Sequence, residues 1–342
     1  MTRIVDIERQ TCAPEVTLRD VMARFNELAH PFLVVVDAQG RPLGTLTDGD
    51  VRRAMLTGTS LDAPVVGAMN PRPLLGRLGE AARPSALPPS VGFVPMVDDA
   101  GVLHEIWLPR GQAEPILDAL VMAGGFGKRL GERTRSMPKP LIEVGEKPLL
   151  EHTLEWLEAG GIARIHVATH YLAEQIEGYL ERRVSRADIR AFREDRPLGT
   201  AGAVRFMAGL AMRPFVVVNA DVLTRLDFGA LAAFHHQHGC DGTLAVVPHV
   251  VEIPFGVVRQ DDRGAFEAIE EKPRYSYFIA SGIYLLSPAF CGLVPRDQAF
   301  DMPDLLAAGR KAGLRIGVFP IHEYWRDVGR EDDLASARRE IT

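Results

Sequence analysis

The sequence predicts an α/β protein in which a Rossmann-like, mostly parallel sheet follows a smaller α+β domain. The chain of 342 residues is longer than one hydrophobic core usually supports, which favours two domains. From residue 117 onward, short apolar runs alternate with helical patterns, and this alternation is typical of βαβ units. The segment from Leu108 to Pro115 is polar and has two prolines, so we place the domains at residues 1–112 and 114–342.

Composition argues against several classes of protein. Apolar residues make up 46% and charged residues 25% of the chain, as in ordinary soluble globular proteins. The net charge of −6 provides no global field that would attract nucleic acid. The three cysteines are scattered and suggest neither a disulfide framework nor a zinc site. No signal-peptide core and no membrane-spanning segment is present, so we expect a cytoplasmic protein with no membrane partner.

A glycine-rich loop follows the apolar run of residues 119–123, which has the length of a buried strand. Gly124, Gly125 and Gly127 lack Cβ atoms, so their backbone N–H groups can close on an anion. Five cations follow the first two glycines: Lys128, Arg129, Arg133, Arg135 and Lys139. The loop is predicted to bind a triphosphate, and the alternative is a strand-to-helix turn with solvated charges.

Two other phosphate motifs do not match this loop. The Walker loop requires Gly-Lys followed by Ser or Thr, and that sequence is absent. The dinucleotide fingerprint opens a helix, and Pro138 and Pro140 do not suit that helix. A dehydrogenase is therefore disfavoured.

Two carboxylates are candidate metal ligands. Asp221 follows the apolar run of residues 214–218, and Asp327 lies beside Gly329. Two carboxylates together with phosphate oxygens suit Mg²⁺, because hard cations prefer oxygen ligands. Each aspartate alone is more often a cap or turn residue, but both occur in a chain that also has a basic phosphate loop, which favours the metal site.

Residues 32–40 and 93–101 form an internal repeat in which a strand ends at an Asp/Gly turn. Together with the segment from Gly44 to Asp50, they resemble a pair of CBS motifs, modules that bind adenosine or guanosine nucleotides. The resemblance implies that Asp50 accepts hydrogen bonds from ribose and that Thr47 lies near the phosphates of a purine nucleotide effector. The second copy lacks Thr-x-x-Asp, and a structural pair that aids dimerisation is the alternative.

The C-terminal domain resembles the sugar-1-phosphate nucleotidyltransferases over residues 117–330, specifically the mannose-1-phosphate or glucosamine-1-phosphate guanylyltransferases. Seven segments carry the resemblance in the family's order: Gly124–Leu130, Pro138–Leu141, Pro197–Gly202, Asn219–Asp221, Glu271–Pro273, Ser281–Tyr284 and Trp325–Gly329. The implied reaction joins an NTP and a sugar 1-phosphate into an NDP-sugar and pyrophosphate. A homo-oligomer is also expected.

The resemblance implies roles for particular residues. Arg129 and Lys139 would bind phosphates, and Asp221 and Asp327 would hold Mg²⁺. The nucleotide would contact Ala123, Gly124, Gly125, Gly127, Glu194, Gly199 and Thr200. The sugar phosphate would contact Gly256, Glu271, Lys272, Ser281 and Gly282. The chain departs from the family at Ser281, where Asn is common, and at His170, where an Asn-Tyr pair is common.

Glu194 favours GTP as the nucleotide. Relatives that use uracil or thymine often have Gln at this position near the base edge, whereas an ionised Glu only accepts hydrogen bonds. Guanine presents two adjacent donors that one carboxylate can accept. The alternatives are an ion pair of Glu194 with Arg193 or Arg196, the same reaction with UTP or dTTP, and a non-catalytic nucleotide sensor.

Overall fold

The computed structural model describes residues 2–25, 27–28, 30–79, 92–108, 115–296 and 298–340. The chain groups into two compact units, Met1–Glu114 with Gly229–His238, and Pro115–Phe228 with Gly239–Thr342. The domain bounds 1–112 and 114–342 stay a prediction, and residues 229–238 group with the first unit. The predicted linker lies mostly at residues 109–114, outside the described residues. Within the described ranges, no helix has the length and apolar character needed to cross a membrane.

The first unit combines short strands and two helices from the N-terminal part of the chain. Its strands are β1 (Thr2–Ile4), β2 (Thr11–Cys12), β3 (Phe32–Val36), β4 (Pro42–Thr47), β5 (Gly76–Arg77), β6 (Val94–Val97) and β7 (Leu103–Leu108). Its helices are α1 (Leu18–Phe25) and α2 (Asp48–Leu56). The strands form a sheet of order β1-β7-β6-β5 and another of order β2-β3-β4.

The internal repeat seen in the sequence is also present in the structure. Hairpins β3–β4 and β6–β7 are both antiparallel, and each turn places a glycine at positive φ, 77° at Gly40 and 81° at Gly101. In each turn an aspartate accepts two backbone N–H bonds, at 2.8–2.9 Å for Asp37 and 2.9 Å for Asp98. The same short-range chemistry therefore closes both hairpins.

Two equivalent residues of the repeat contact each other. Phe32 and Phe93, which lie 61 positions apart, stack with ring centroids 3.7 Å apart and planes 11° from parallel. Phe32, Val34, Leu103 and Ile106 form a buried cluster drawn from both hairpins. Contact between equivalent positions is what an approximate two-fold arrangement of two copies produces.

The second unit has thirteen strands and four helices in the described ranges; a fifth helix of this part of the chain, α5 (Phe228–Gln237), groups mostly with the first unit. The strands are β8 (Asp118–Met122), β9 (Glu143–Val144), β10 (Lys147–Pro148), β11 (Arg164–Thr169), β12 (Asp188–Arg193), β13 (Phe215–Asn219), β14 (Val222–Thr224), β15 (Gly242–Glu252), β16 (Val257–Gln260), β17 (Phe266–Glu270), β18 (Arg274–Leu286), β19 (Ile316–Pro320) and β20 (Trp325–Asp327). The helices are α3 (Leu149–Ala159), α4 (Ala173–Arg182), α6 (Met302–Lys311) and α7 (Glu331–Glu340).

A seven-stranded sheet of order β12-β11-β8-β13-β18-β15-β19 forms the centre of this unit. Strand β18 runs antiparallel to both of its neighbours, and the other described pairs are parallel. The predicted α/β class with a mostly parallel sheet is thus confirmed. Strands β8 and β13 are buried and are apolar along nearly their whole length, as expected for parallel strands that are covered on both faces.

The short strands β14 and β20 bring two distant segments together. They pair antiparallel, with Val222 opposite Asp327, and the amide of Val328 donates to the carbonyl of Asp221 at 3.0 Å. Leu223 and Val328 belong to a buried cluster with Leu130 and Leu149. This packing fixes the backbone next to both predicted metal ligands.

Candidate active site

A cleft of about 520 Å³ opens at the carboxyl ends of β8 and β13. Ligands of open α/β sheets collect at this edge. The cleft contains ten of the predicted site residues: Ala123, Gly124, Gly125, Gly127, Arg129, Lys139, Glu194, Gly199, Thr200 and Asp221. Ala123 and Asp221, which are 98 positions apart in the sequence, thus line the same cleft.

The glycine loop is folded so tightly that Gly127 admits no side chain. Its φ is 63°, and a Cβ atom would lie 2.8 Å from Cγ2 of Thr134 and 3.0 Å from Cβ of Lys139. The hydroxyl of Thr134 donates to the carbonyls of Gly127 at 3.2 Å and Gly131 at 3.1 Å. The loop continues as a 3-10 helix, Lys128–Thr134, rather than the α-helix of a dinucleotide fold.

Two cations lie at the cleft. Arg129 is exposed and lines it. Lys139 is mostly buried, and its Nζ donates to Oδ2 of Asp221. Both side chains lower the pKa of Asp327, so both lie close enough for their charge to act on that carboxylate.

Asp221 and Asp327 form a pair of carboxylates. Burial raises the pKa of Asp327 above its ordinary value, the charge of Asp221 raises it further, and Lys139 and Arg129 oppose this. Glycine at position 329 makes room for the carboxylate, because a Cβ there would lie 3.2 Å from Oδ2 of Asp327. Two mutually repelling carboxylates in a partly buried site are a setting that a cation would stabilise.

Asp221 also has an oxygen with no partner. Its Oδ1 is buried and accepts no hydrogen bond from any residue that the structure describes. A buried carboxylate oxygen without a hydrogen bond is costly, and metal coordination is one way to remove that cost. The two aspartates therefore suit a hard divalent cation, although the described residues include no group of three or more potential metal-binding side chains.

Glu194 is buried and lines the cleft. Its Oε2 accepts the amide of Leu198 at 3.2 Å, and a Cβ on Gly124 would approach the same oxygen to 3.4 Å. Burial raises the pKa of Glu194, while the Leu198 amide and His170 lower it. The alternative of a surface pair with Arg193 is wrong, because Arg193 binds Glu174 and Glu177 instead.

Thr200 lines the cleft, but its hydroxyl is already used. It donates to Oδ1 of Asp301 at 3.2 Å and accepts the amide of Met302 at 2.9 Å. The expectation that this hydroxyl serves a nucleotide therefore meets a competing use that the sequence did not reveal. Gly199 has a φ of 79°, and a Cβ there would lie 2.7 Å from the carbonyl oxygen of Phe300.

Ser281 is not among the residues that line the described cleft. Its side chain is 1% exposed and its hydroxyl donates to the carbonyl of Ala245 at 2.8 Å, a cross-strand bond within the sheet. Its own carbonyl accepts Nε1 of Trp325 at 2.9 Å. The neighbouring Gly282 packs against Asn219, with a would-be Cβ 2.8 Å from the amide nitrogen. The sugar contact of Ser281 stays a prediction, and the Ser281 hydroxyl already has a hydrogen-bond partner within the sheet.

Gly256, Glu271 and Lys272 are exposed and lie outside the cleft as the described residues define it. Gly256 adjoins Glu271, since a Cβ on the glycine would approach Oε2 to 3.0 Å. Lys272 has a φ of 46°, a conformation that non-glycine residues rarely adopt and that often marks functional sites. Gly256 precedes β16, and Glu271 and Lys272 follow β17, so the three lie together at the open end of this hairpin, outside the lining of the cleft.

In the first unit, Thr47 and Asp50 form a capping box at the start of α2. Oδ2 of Asp50 accepts the amide and the hydroxyl of Thr47 at 2.9 and 2.7 Å, and Oδ1 accepts Arg53 at 2.7 Å. Both oxygens expected to bind ribose are therefore engaged locally. Thr-x-x-Asp is also the pattern of a helix cap, which is the simpler explanation of this signature.

Several cleft residues were absent from the predicted set. Asn219 and Gly329 lie inside quoted motifs, so the motif itself was the signal. Phe126 also lines the cleft, and its ring lies 5.9 Å from that of His170 and 5.3 Å from that of Tyr171. Sequence periodicity does not identify Phe126, because His170 and Tyr171 lie in a different loop, the one that follows β11.

Family models match most of the chain. The nucleotidyl transferase model matches residues 118–342, and the CBS domain model matches residues 1–57. The second region thus has the family predicted from its motifs, and the first of the two repeat copies matches the predicted module.

Curated relatives are named as mannose-1-phosphate guanylyltransferases. The mannose-1-phosphate guanyltransferase of Schizosaccharomyces pombe is 34% identical over 227 residues, covering 64% of this chain and 62% of the relative. The mannose-1-phosphate guanylyltransferase catalytic subunit beta of Drosophila melanogaster is 36% identical over 223 residues, covering 63% and 60%. The chain therefore spans about three fifths of the length of these relatives.

Solved structures share the fold. HddC from Yersinia pseudotuberculosis complexed with GMP-PN is 25% identical, with a TM-score of 0.53 over 66% of this chain and all of that chain. The UTP-bound UGPase from Acinetobacter baumannii is 19% identical with a TM-score of 0.53, a likeness of fold alone. Members of such families generally use a divalent metal ion, for which the aspartate pair is suited. The site combines a glycine loop with two cations and two carboxylates. Because the family model also matches two thirds of the sequence, this chain belongs to the nucleotidyl transferase family.

Proposed function

We propose that this protein transfers the guanylyl group of GTP to a hexose or hexosamine 1-phosphate, giving a GDP-sugar and pyrophosphate. Mannose 1-phosphate is the first acceptor to test, because the curated relatives are named for it. Glucosamine 1-phosphate is the second, since the departure from the family pattern at Ser281 leaves the identity of the sugar open.

One observation carries the proposal more than any other. Lys139 and Asp221, which lie 82 residues apart, form an ion pair in the cleft that also contains the glycine loop and Arg129. A site that only bound nucleotide would need the cations but not a pair of carboxylates near the phosphates. The combination supports chemistry at a phosphorus atom.

The reaction is an in-line displacement. An oxygen of the sugar phosphate attacks the α-phosphorus of GTP, a new P–O bond forms, and the bond to the β-phosphate breaks to release pyrophosphate. The attacking phosphate is already ionised, so no general base is required. Arg129 and Lys139 offset the repulsion between two polyanions, and correct positioning in such reactions contributes roughly 7–11 kcal/mol.

Asp221 and Asp327 would hold Mg²⁺, which would neutralise charge that develops on the phosphates during transfer. The buried, unpartnered Oδ1 of Asp221 and the raised pKa of Asp327 support this role. Lys139 already forms an ion pair with Oδ2 of Asp221, so Oδ1 is the oxygen left for a metal ion.

Guanine preference is assigned to Glu194. When ionised, its carboxylate would accept both the ring N–H and the amino group of guanine.

In the loop from Leu198 to Ala201, the described structure gives partners to the amides of residues 198, 200 and 201, whereas the amide of Gly199 donates to no described residue. That amide is available to a ligand in the cleft.

The decisive experiment measures pyrophosphate release by the full chain with Mg²⁺, five nucleoside triphosphates and a panel of sugar 1-phosphates. GTP with a hexose or hexosamine 1-phosphate should give the highest kcat/KM. A preference for UTP or dTTP would refute the guanylyl assignment, and no release with any pair would refute the transferase.

The CBS match supports a second, separate proposal: the N-terminal unit binds a purine nucleotide that modulates the transferase. A coupling of about 1–3 kcal/mol would be typical. Self-association into a homo-oligomer is a further prediction, for which light scattering of the full chain is the measurement.

A further inference from the structure

Asp301 immediately precedes α6, yet its side chain is used elsewhere. Aspartate at the start of a helix usually accepts an N–H bond from the first turn of its own helix. Among the described residues, the Asp301 side chain makes no such bond to α6. Its Oδ1 instead accepts the backbone N–H of Thr200 at 2.9 Å and the hydroxyl of Thr200 at 3.2 Å.

Thr200 supplies the cap that Asp301 does not. Its Oγ1 accepts the amide of Met302, the first residue of α6, at 2.9 Å. Thr200 and Asp301 therefore exchange hydrogen bonds across 101 positions of sequence: Asp301 accepts from Thr200, and Thr200 caps α6 in place of Asp301. This exchange ties the start of α6 to the loop that lines the cleft.

The backbone on either side strengthens the connection. The amide of Phe300 donates to the carbonyl of Leu198 at 2.8 Å, and the amide of Ala201 donates to the carbonyl of Phe300 at 2.9 Å. Gly199 lies directly against this segment, and a Cβ there would meet Oδ1 of Asp301 at 2.8 Å. Leu198–Ala201 is thus held along its length by residues 300 and 301.

We propose that Asp301 is a positioning residue for nucleotide binding, and that it acts by holding Thr200 and thereby the loop Leu198–Ala201. This inference rests on the proposed nucleotide site in the cleft. Asp301 itself is absent from the residues that line the described cleft, so its effect passes through Thr200. Loss of its two hydrogen bonds frees the amide and hydroxyl of Thr200 and loosens the loop next to Gly199 and Glu194, which then keeps the two backbone bonds of Phe300.

Three variants of the full chain test this role. Asp301→Ala removes both hydrogen bonds, and it should raise the KM for GTP about ten- to hundredfold while kcat changes less. Asp301→Asn keeps an acceptor oxygen and should restore a KM near that of the wild type. Asp304→Ala removes another exposed acid from the first turn of α6 and should leave the KM unchanged.

Hydrogen–deuterium exchange of the Thr200 amide gives a readout that does not depend on activity. Exchange should be faster in Asp301→Ala than in Asp301→Asn or Asp304→Ala, with thermal melting as the check on folding. If Asp301→Ala does not fold, Asp301→Ser replaces it, because serine caps helices well and its side chain is one atom shorter.

Each outcome decides the question. A KM and an exchange rate for Asp301→Ala that match those of Asp304→Ala would overturn the positioning role. So would a KM for Asp301→Asn as high as that for Asp301→Ala, because the acceptor rather than the charge makes these bonds. If the wild type releases no pyrophosphate from GTP, the proposed function fails, and the exchange experiment alone then supports or overturns the role of Asp301.

Discussion

Lys139 donates a hydrogen bond to Oδ2 of Asp221, whereas Oδ1 of the same carboxylate is buried and accepts none from the described residues. One oxygen of the Asp221 carboxylate thus has a positively charged partner, whereas the other has no partner among the described residues. Asp327 adds a second acid whose pKa is raised by burial and by Asp221. Such a site is costly without a cation, and sites of this kind usually serve a function.

Asp221→Asn and Asp327→Asn should each abolish turnover with little change in fold. Each substitution removes a charge and keeps the shape, so it weakens metal binding more than packing. Pyrophosphate release at saturating Mg²⁺ is the measurement, with circular dichroism as the control. Retention of more than about a tenth of the wild-type kcat, a difference of only ~1.4 kcal/mol, would show that the carboxylate has no metal role.

The raised pKa of Asp327 predicts two opposite effects of pH. The folded, metal-free protein holds this proton more tightly than the unfolded chain does. Its stability therefore falls as pH rises from the ordinary Asp value of 3.8 through the raised pKa. Metal binding requires the ionised form, so Mg²⁺ affinity should fall when pH drops through the same pKa.

Melting temperatures with and without Mg²⁺, at pH about 4, near the ordinary Asp pKa, and at pH about 8, check both effects. Mg²⁺ should stabilise the protein more at the higher pH. Asp327→Asn should remove most of this difference and raise the melting temperature of the metal-free protein. An equal Mg²⁺ effect at both pH values would contradict the assignment.

Sequence patterns located the fold and the phosphate loop because both depend on local chemistry. The apolar run at residues 119–123 matches β8, since a strand buried on both faces must be apolar throughout. Asp221 is identifiable because it follows a predicted strand, and ligands collect where strands end at a sheet edge. Such features depend on neighbours in sequence, so the sequence alone suffices to find them.

Features that depend on a distant partner were not predictable. The hydroxyl of Ser281 is occupied by the carbonyl of Ala245 in the neighbouring strand, and that of Thr200 by Asp301. The sequence around Asp301 indicates only a helix cap, because the actual partner of its side chain lies 101 residues away. Thr47 and Asp50 show the converse error, in which a local helix cap has the same pattern as a ligand signature.

Gly199→Ala should destabilise the protein and weaken nucleotide binding. A left-handed φ costs an alanine roughly 1–2 kcal/mol, and at Gly199 the new Cβ also meets the Phe300 carbonyl at 2.7 Å. Gly209→Ala is the matched control, because its φ of 78° is nearly the same and nothing lies within 4 Å. Denaturant titration should show a larger loss at Gly199, and only this variant should raise the KM for GTP. Equal losses would indicate that the contact with Phe300 relaxes freely.

Asp50→Ala should lower stability even without a ligand, by about 1 kcal/mol, because it removes a capping box. If Asp50 also binds ribose, Asp50→Ala should abolish calorimetric binding of AMP or GMP to the full chain. Arg53→Ala, which frees Oδ1 of Asp50, should retain or strengthen that binding. Nucleotide binding unaffected by Asp50→Ala would leave Asp50 as a helix cap only.

Glu194→Gln should separate stability from base preference. The buried carboxyl has a raised pKa, so its ionised form costs stability near neutral pH, and a neutral glutamine of the same shape should keep or raise the melting temperature. The amide presents a donor where guanine also presents donors, and each unsatisfied buried group costs roughly 1–3 kcal/mol. The ratio of kcat/KM for GTP to that for UTP should therefore fall about ten- to hundredfold.

Arg193 pairs with Glu174 and Glu177 beside this position, so Arg193→Gln changes the neighbouring surface charge and serves as the control. An unchanged ratio in Glu194→Gln, with the same ratio in Arg193→Gln, would show that the base is recognised by other residues of the cleft.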